Sequence, residues 1–156
     1  MVAIVTPGKG RNLDLWPVGN CQVSGLLDSE AALVWGCVPR VDGDPVFCAL
    51  LNGDDRDGGI WRFELVDQVK SEQHYIRNTP MLVTRLEASD GSAIEITDFC
   101  PRFERSGRMY RPVAWVRIVR PVTGVPRMRV VLTPMRDYGE AIAERTSGTN
   151  HIRYLV

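Results

Sequence analysis

The sequence is poor in the residues that most enzymes use for catalysis or metal binding. Only two histidines occur, His74 and His151, and neither is flanked by a nucleophile motif. A catalytic triad needs a base held beside the nucleophile by a third group, so both histidines are predicted to be ordinary surface residues. The four cysteines show no C-x-x-C spacing, and no Cys and His cluster suits zinc. We therefore expect no catalytic residue, metal or other cofactor in this chain.

Net charge and long apolar runs are also absent. The 19 basic residues balance 19 acidic ones, so no net field favours nucleic acid or an anionic membrane. No run approaches the roughly 18 apolar residues of a membrane span, and no apolar segment follows a basic N-terminus as in a secretory signal. The sequence predicts a cytoplasmic protein with reduced, mostly buried thiols and neither a nucleic-acid nor a membrane partner.

What the sequence does contain is alternation of apolar and polar residues with a period of two. Trp61, Phe63 and Leu65 share one predicted face. Residues 81–99 read as a hairpin because Asp90-Gly91 supplies the positive φ that tight turns need, and Ile94 and Ile96 are predicted to face inward. About seven or eight such strands at short spacing predict an all-β fold, an antiparallel β-sandwich.

The domain organisation predicted from these patterns is simple. Residues 1–12 read as a mobile leader, and residues 13–156 as one β-sandwich domain. One short helix is predicted after the first hairpin, over residues 45–51. Asp44 is a suitable N-cap, a proline occupies the first helical position, and Asn52-Gly53 offers a stop.

Two predicted strand ends share the order aromatic, Cys, Pro, Arg, apolar and acid. One is WGCVPRVD at residues 35–42, and the other is DFCPRFE at residues 98–104. We expect both Pro-Arg corners at one edge of the sandwich. This edge is either the rim of a ligand-binding site or a contact surface for another domain. In the first corner, an Arg and an Asp must lie close together in otherwise apolar surroundings, and a structural ion pair is the simplest interpretation. The candidate residues at this edge are Arg40, Asp42, Arg102 and Trp35.

Charge is distributed unevenly along the chain. Asp54, Asp55 and Asp57, with Asp44 nearby, could hold a calcium ion, although the ligand spacing of an EF-hand loop is missing. Residues 102–136, by contrast, contain nine arginines and one acid, Glu104. Residues 100–112 are predicted to form a long basic loop, and the strand predicted after it, residues 113–120, places Ala114, Val116 and Ile118 on one side.

Four of these arginines fall on predicted strands without interleaved exposed aromatics for base stacking. We expect a solvated sheet face, or one docked on an acidic partner, rather than a nucleic-acid site. The four are Arg117, Arg120, Arg127 and Arg129.

Four segments together carry a family resemblance. They are LDLWPVGNCQVSGLLD (residues 13–28), WGCVPRVDGDPVFCALLNGDD (35–55), ITDFCPRF (96–103) and GRMYRPVAWVRIVRPVTGVPRMRV (107–130). In combination they resemble the N-terminal domain of bacterial and archaeal glycoside hydrolase family 15 enzymes, the glucoamylase and trehalase-like group. The first corner of that family often reads Pro-Arg-Phe-Asp-Ser-Asp, so Val41 and Gly43 depart from the pattern.

The resemblance implies a β-supersandwich that precedes an (α/α)6 catalytic barrel. In the family, that barrel holds two glutamates, a general acid and a general base, for inverting hydrolysis of an α-glucosidic bond. The chain is expected to stop before this barrel, so no catalytic residue is carried over. The resemblance thus implies a non-catalytic module that packs on and shapes the C-terminal catalytic barrel of the same polypeptide, with Arg40, Asp42 and Arg102 facing the barrel or its substrate mouth. An oligosaccharide partner at the domain edge is left open.

Two other classes of function are left open by the sequence. A free carbohydrate-binding module needs a row of exposed aromatic rings, for which Trp16, Trp61, Tyr75 and Tyr110 are the candidates. A scaffold that self-associates through exposed strand edges is the other.

Overall fold

A computed structural model describes residues 13–51 and 58–156 of the chain. The predicted leader and the acids of the calcium hypothesis other than Asp44 lie outside the described residues. One 3₁₀ helix spans Asp137–Gly139. The strands are β1 (Trp16–Gly19), β2 (Ser24–Leu27), β3 (Leu33–Val38), β4 (Asp44–Phe47), β5 (Ile60–Leu65), β6 (Gln68–Tyr75), β7 (Leu82–Ala88), β8 (Ala93–Phe99), β9 (Phe103–Arg105), β10 (Arg108–Tyr110), β11 (Val116–Thr123), β12 (Met128–Thr133), β13 (Met135–Arg136), β14 (Ala141–Ile142), β15 (Glu144–Ser147) and β16 (Ile152–Leu155).

Two antiparallel sheets form the predicted β-sandwich. The first has six strands in the order β1-β2-β3-β5-β12, with β4 also paired to β3. The second has four strands in the order β11-β8-β7-β6. Three two-stranded ribbons, β9–β10, β13–β14 and β15–β16, accompany them. The all-β fold class predicted from the alternation is confirmed.

The main core lies between these sheets, where the alternation placed it. Phe63 and Leu65 are buried in it and Trp61 packs against it, as predicted from their shared face. Ile94 and Ile96 of β8 are buried there too. The alternation predicted these positions because successive side chains of a strand point to opposite faces.

The predicted β7–β8 hairpin is present, and its turn has the expected chemistry. Gly91 has φ +81, and the Asp90 carboxylate accepts a hydrogen bond from the Ser92 amide at 2.8 Å. A left-handed φ is readily adopted by glycine because it has no Cβ.

The short helix predicted over residues 45–51 is wrong. Residues Asp44–Phe47 form β4, which pairs with β3 so that Phe47 lies opposite Gly36. Val46 and Phe47 are buried. A β-branched and an aromatic residue gain more from packing beside β3 than from the capping signals that favoured a helix.

A buried ion pair lies within the second sheet, and its arginine also bonds to the first sheet. The predicted solvated position of Arg117 is therefore wrong. Arg117 was expected on a solvated face, but its side chain and that of Asp98 are each only 2% exposed. The Arg117 Nε donates to Asp98 Oδ1 at 2.6 Å, and Arg117 Nη1 donates to the Trp61 carbonyl at 2.6 Å. The Nη2 group donates to the Ala31 carbonyl. Arg117 thus joins β11 and β8 of one sheet to β5 of the other.

The inward side of β11 is therefore the opposite of the predicted one. Ala114, Val116 and Ile118 were expected to share one apolar side, yet Ile118 is 38% exposed. Val119 packs against the main core instead. A buried arginine on the inward side is stable here because Asp98 lies directly opposite it on β8.

Candidate functional site

The two Pro-Arg corners lie against the same short turn, residues 20–23, which joins β1 to β2. The Gln22 side-chain amide donates to the Pro39 carbonyl at 3.2 Å, which fixes the first corner. The Asn20 side-chain amide donates to the Pro101 carbonyl at 2.8 Å, which fixes the second. The structure thus brings the two strand ends together, as expected from their shared sequence pattern.

Asn20 organises this turn from a buried position, since it is only 2% exposed. Its side-chain oxygen accepts hydrogen bonds from the backbone amides of Gln22 at 2.9 Å and Val23 at 3.1 Å. This is the asparagine turn in which the side chain imitates a backbone carbonyl. The sequence reasoning missed Asn20, although a Gly-Asn pair between two strands is a recognised turn signal.

The amide nitrogen of Asn20 also closes the base of a hairpin. It donates to the carbonyls of Pro101 and Pro112, at 2.8 and 2.9 Å. Between these prolines, the residues predicted to be a long basic loop form the antiparallel pair β9 and β10 instead. Phe103 lies opposite Tyr110, and Arg105 lies opposite Arg108. We call residues 103–110 the finger. Every residue of β9 and β10 is exposed.

The finger combines apolar and basic side chains. Its Phe103 and Tyr110 rings are stacked, with centroids 5.8 Å apart and planes 13° from parallel. Both rings remain accessible, at 48% and 43% exposure. Arginines at positions 105 and 108 lie in the finger with the one acid of this region, Glu104. A stacked aromatic pair beside guanidinium groups suits contact with a partner surface that has apolar and acidic groups.

Arg40 and Asp42 form the predicted ion pair on the loop after β3. The Arg40 Nε and Nη2 groups donate to the two carboxylate oxygens of Asp42, at 3.0 and 2.8 Å. Their side chains are 66% and 64% exposed. The Arg40 hydrogen bonds lower the pKa of Asp42 below its ordinary value. Contrary to the expected apolar surroundings, the pair lies in solvent, where it remains available to a ligand or a partner.

Replacing Arg40 by Ala should raise the pKa of Asp42 towards its ordinary value while scarcely changing the unfolding midpoint, because exposed pairs contribute little to stability. A side-chain NMR titration of Asp42 measures the first effect. An Arg102→Ala variant is the control and should leave the Asp42 pKa where it is. An unchanged pKa in Arg40→Ala would show that another group stabilises the Asp42 carboxylate.

Arg102 belongs to the second corner and contacts the turn rather than the Arg40–Asp42 pair. Its Nη1 group donates to the Cys21 sulfur at 3.6 Å. Cys21 has a left-handed φ of 71 and is the exposed member of the four free cysteines; Cys37, Cys48 and Cys100 are buried. Within the described residues, no hydrogen bond or ion pair joins Arg102 to Arg40 or Asp42.

Cys21 should therefore be alkylated by iodoacetamide well before the other three thiols in the folded chain. Burial, and then the charge of Asp98, raises the pKa of Cys100 to about 12, so this thiol is not ionised at neutral pH. Peptide mass spectrometry over a time course measures the order of labelling. A Cys21→Ser variant should lose the fast phase; a fast phase that persists would place the reactive thiol elsewhere.

Trp35 lies apart from the other candidates. It is half-buried in β3 with its backbone opposite Leu26. It lies three positions before the end of the strand at Val38, which is about 10 Å along a β-strand. The structure thus brings Arg40 and Asp42 together, places Arg102 on the neighbouring turn, and sets Trp35 back in the sheet.

His74 on β6 and His151 are both exposed, in agreement with the prediction of surface histidines. Within residues 13–51 and 58–156, no group of three or more His, Cys, Asp or Glu side chains is arranged to hold a metal ion. No helix in the described part of the chain has the length and apolar character to cross a bilayer.

Comparison with known proteins gives the family. The trehalase-like N-terminal domain family matches residues 15–155. A trehalase from Thermoplasma volcanium is 29% identical over 89 residues, which is 56% of this chain and 14% of that protein's length. The matched region is thus a small part of its relative. No solved structure matches the chain significantly. Because the family match includes nearly every strand, this chain belongs to the trehalase-like N-terminal domain family.

Proposed function

We propose that this chain is the non-catalytic N-terminal module of a longer hydrolase that cleaves α-glucosidic bonds, of the trehalase or glucoamylase type. In this proposal, the module packs on the catalytic barrel of the same polypeptide and helps to shape it. The observation that carries the proposal is the family match over residues 15–155. The similarity to a trehalase supports trehalose as the first substrate to test.

The surface of the second half of the chain supports a packing role. Most of the exposed large hydrophobic residues lie after residue 102, and they include Val125 at 89%, Tyr138 at 78% and Ile142 at 63% exposure. Apolar side chains clustered on a surface mark contacts with a partner. We propose that the end of the sandwich with Arg40, Asp42, Arg102 and the finger faces the barrel or its substrate mouth. A cytoplasmic location is part of the same proposal and agrees with the absence of disulfides among the described cysteines.

Hydrolysis assays test this function directly. A longer polypeptide that contains this module should release glucose from trehalose or maltooligosaccharides, whereas the 156-residue chain alone should release none. A longer polypeptide that cleaves no α-glucoside would overturn the proposed activity. Hydrolysis by the 156-residue chain alone would overturn the non-catalytic role.

Carbohydrate binding by the isolated module is the second candidate, and one observation favours it. Tyr110 is exposed and stacked on Phe103, as a ring that binds a sugar face would be. The other candidate aromatic side chains pack within the protein. Trp61 packs on the main core, and Trp16 contacts Tyr75 with centroids 5.3 Å apart. Calorimetry with trehalose and maltotriose, in the wild type and in Tyr110→Ala, decides whether the exposed Tyr110 ring binds sugar.

A further inference from the structure

The outer strand of the six-stranded sheet, β12, pairs on one side only within the described residues. Its partner is β5, with Met128 opposite Leu65 and Thr133 opposite Ile60. At the ends of this ladder, Val66 N donates to Arg127 O and Gly59 N donates to Thr133 O, each at 2.9 Å. Because backbone groups alternate between the two edges of a strand, the odd-numbered residues of β12 point to β5. The N–H and C=O groups of Met128 and Val130 point to the other edge.

The side chains of Met128 and Val130 are also uncovered. They lie on the same face of β12 as Leu132, which packs against the main core. Yet Met128 is 41% exposed and Val130 is 51% exposed. The inward face of the sandwich is thus open to solvent along this part of β12.

The relative placement of the two sheets explains why this face is open. Tyr75 of β6 donates to the Pro17 carbonyl of β1 at 2.7 Å, which places β6 over β1. At the other side, Arg117 of β11 donates to the Trp61 carbonyl of β5. These hydrogen bonds between the sheets reach β1 and β5, and the exposure of Met128 and Val130 shows that the second sheet leaves this part of β12 uncovered.

The open edge of β12 has few features that would prevent pairing with another strand. Exposed edges are usually protected by prolines, lysines or bulges. The prolines near β12, Pro126 and Pro134, lie outside the strand, and its one charged residue, Arg129, forms an ion pair with Glu64 at 2.7 Å. At its end, the Leu132 carbonyl accepts a hydrogen bond from the Tyr154 hydroxyl at 3.1 Å. Residues 128–130 therefore remain as an apolar edge that can accept a strand.

We infer that β12 accepts an additional antiparallel β-strand from the remainder of the polypeptide, a strand with apolar residues beside Met128 and Val130 and acidic residues beside the arginines. The inference rests on the proposed function, which places this module in a longer polypeptide. Charge complementarity favours such an acidic strand, since Arg127 precedes β12 in an exposed position and Arg129 within it keeps 70% of its side chain exposed. A second copy of this chain fits less well: with Met128 opposite Met128, antiparallel pairing of two β12 strands sets Arg127 of each copy opposite Arg129 of the other.

Residue-resolved hydrogen exchange on the longer polypeptide tests the inference. The amides of Met128 and Val130 should exchange about 10³-fold more slowly there than in the 156-residue chain, because a new strand accepts from them. The amides of Arg129 and Val131, which point to β5, are internal controls and should be slow in both. Exchange of Met128 and Val130 at the rate of exposed amides in the longer polypeptide overturns the inference. Slow exchange that appears in the 156-residue chain only as its concentration rises also overturns it, in favour of self-association.

A matched pair of variants keeps the test decisive if the shorter chain folds poorly. In the longer polypeptide, Val130→Lys should speed exchange at Met128 at least about tenfold. Val125→Lys places the same charge at a position that is already 89% exposed and should leave Met128 unchanged. Equal effects of the two variants contradict the inference. Hydrogen exchange and hydrolysis are independent measurements. A longer polypeptide that is active but has a rapidly exchanging Val130 amide refutes only the added strand. A longer polypeptide that is inactive but has a slowly exchanging Val130 amide refutes only the proposed activity.

Discussion

Replacing Arg117 by Met should lower the free energy of unfolding by about 3–5 kcal/mol, because it leaves the buried Asp98 carboxylate without its partner. The change also removes the hydrogen bonds to the Trp61 and Ala31 carbonyls and the guanidinium contact with the Phe63 ring, 4.7 Å from its centroid. Chemical denaturation followed by tryptophan fluorescence measures the loss.

Arg120→Met is the matched control for this prediction. Arg120 lies three residues further along β11 and is exposed, so its replacement should change stability by no more than about 0.5 kcal/mol. Similar losses for the two variants would mean that the Arg117–Asp98 contact contributes little. A double variant, Arg117→Met with Asp98→Leu, should recover much of the loss because no buried charge remains unpaired.

The destabilisation of Arg117→Met should also depend on pH. Burial raises the pKa of Asp98, and the Arg117 charge opposes this effect, so removing Arg117 raises the pKa further. A carboxyl whose pKa is higher in the folded state destabilises the fold as pH rises above its ordinary value. We therefore expect a larger loss of stability at pH 7 than at pH 4, measured by denaturation at both values. A loss that is equal at both values would show that Asp98 keeps the same charge in the variant.

Replacing Asn20 by Ala should cost about 2–4 kcal/mol, the second largest expected effect. Four hydrogen bonds disappear, two to the carbonyls of Pro101 and Pro112 and two from the amides of Gln22 and Val23. Unpaired buried polar groups cost about 1–3 kcal/mol each, although some become accessible to water. Denaturation measures the cost, and amide exchange in the finger reports the release of its base.

Gln22→Ala is the control, since Gln22 lies in the same turn and makes one side-chain hydrogen bond, to Pro39 at 3.2 Å in an exposed position. It should cost no more than about 0.5 kcal/mol. Asn20→Asp distinguishes the acceptor role of the side-chain oxygen from the donor role of the amide nitrogen, because the carboxylate keeps the acceptor and loses both donor hydrogens. If Asn20→Asp were as stable as the wild type, the bonds to the two proline carbonyls would not be what secures the finger.

The short-range patterns of the sequence were sufficient for the fold class and for much of the core. Phe63, Leu65, Ile94 and Ile96 are buried as their alternation predicted, and the β7–β8 turn follows from Asp90-Gly91. The family resemblance read from four segments is confirmed by the match over residues 15–155. The substrate-rim or interdomain role of Arg40, Asp42, Arg102 and Trp35 stays a prediction.

The failures arose where a residue's partner is distant in the sequence. Capping signals favoured a helix at Asp44, yet pairing with β3 made a strand. The period of two gave the alternation of β11 but not which side faces the core. Arg117 faces inward because Asp98, 19 residues away, neutralises it.

Side-chain alternation and turn chemistry, which act over neighbouring residues, were sufficient to predict an antiparallel β-sandwich. The family came from the resemblance of four segments, which the match to the trehalase-like N-terminal domain family confirms. The tertiary structure alone decided that Gln22 and Asn20 of one turn hold the two Pro-Arg corners, that Arg117 is buried, and that β12 pairs on one side only within the described residues. Each of these depends on hydrogen bonds between strands whose separation along the chain no local pattern encodes.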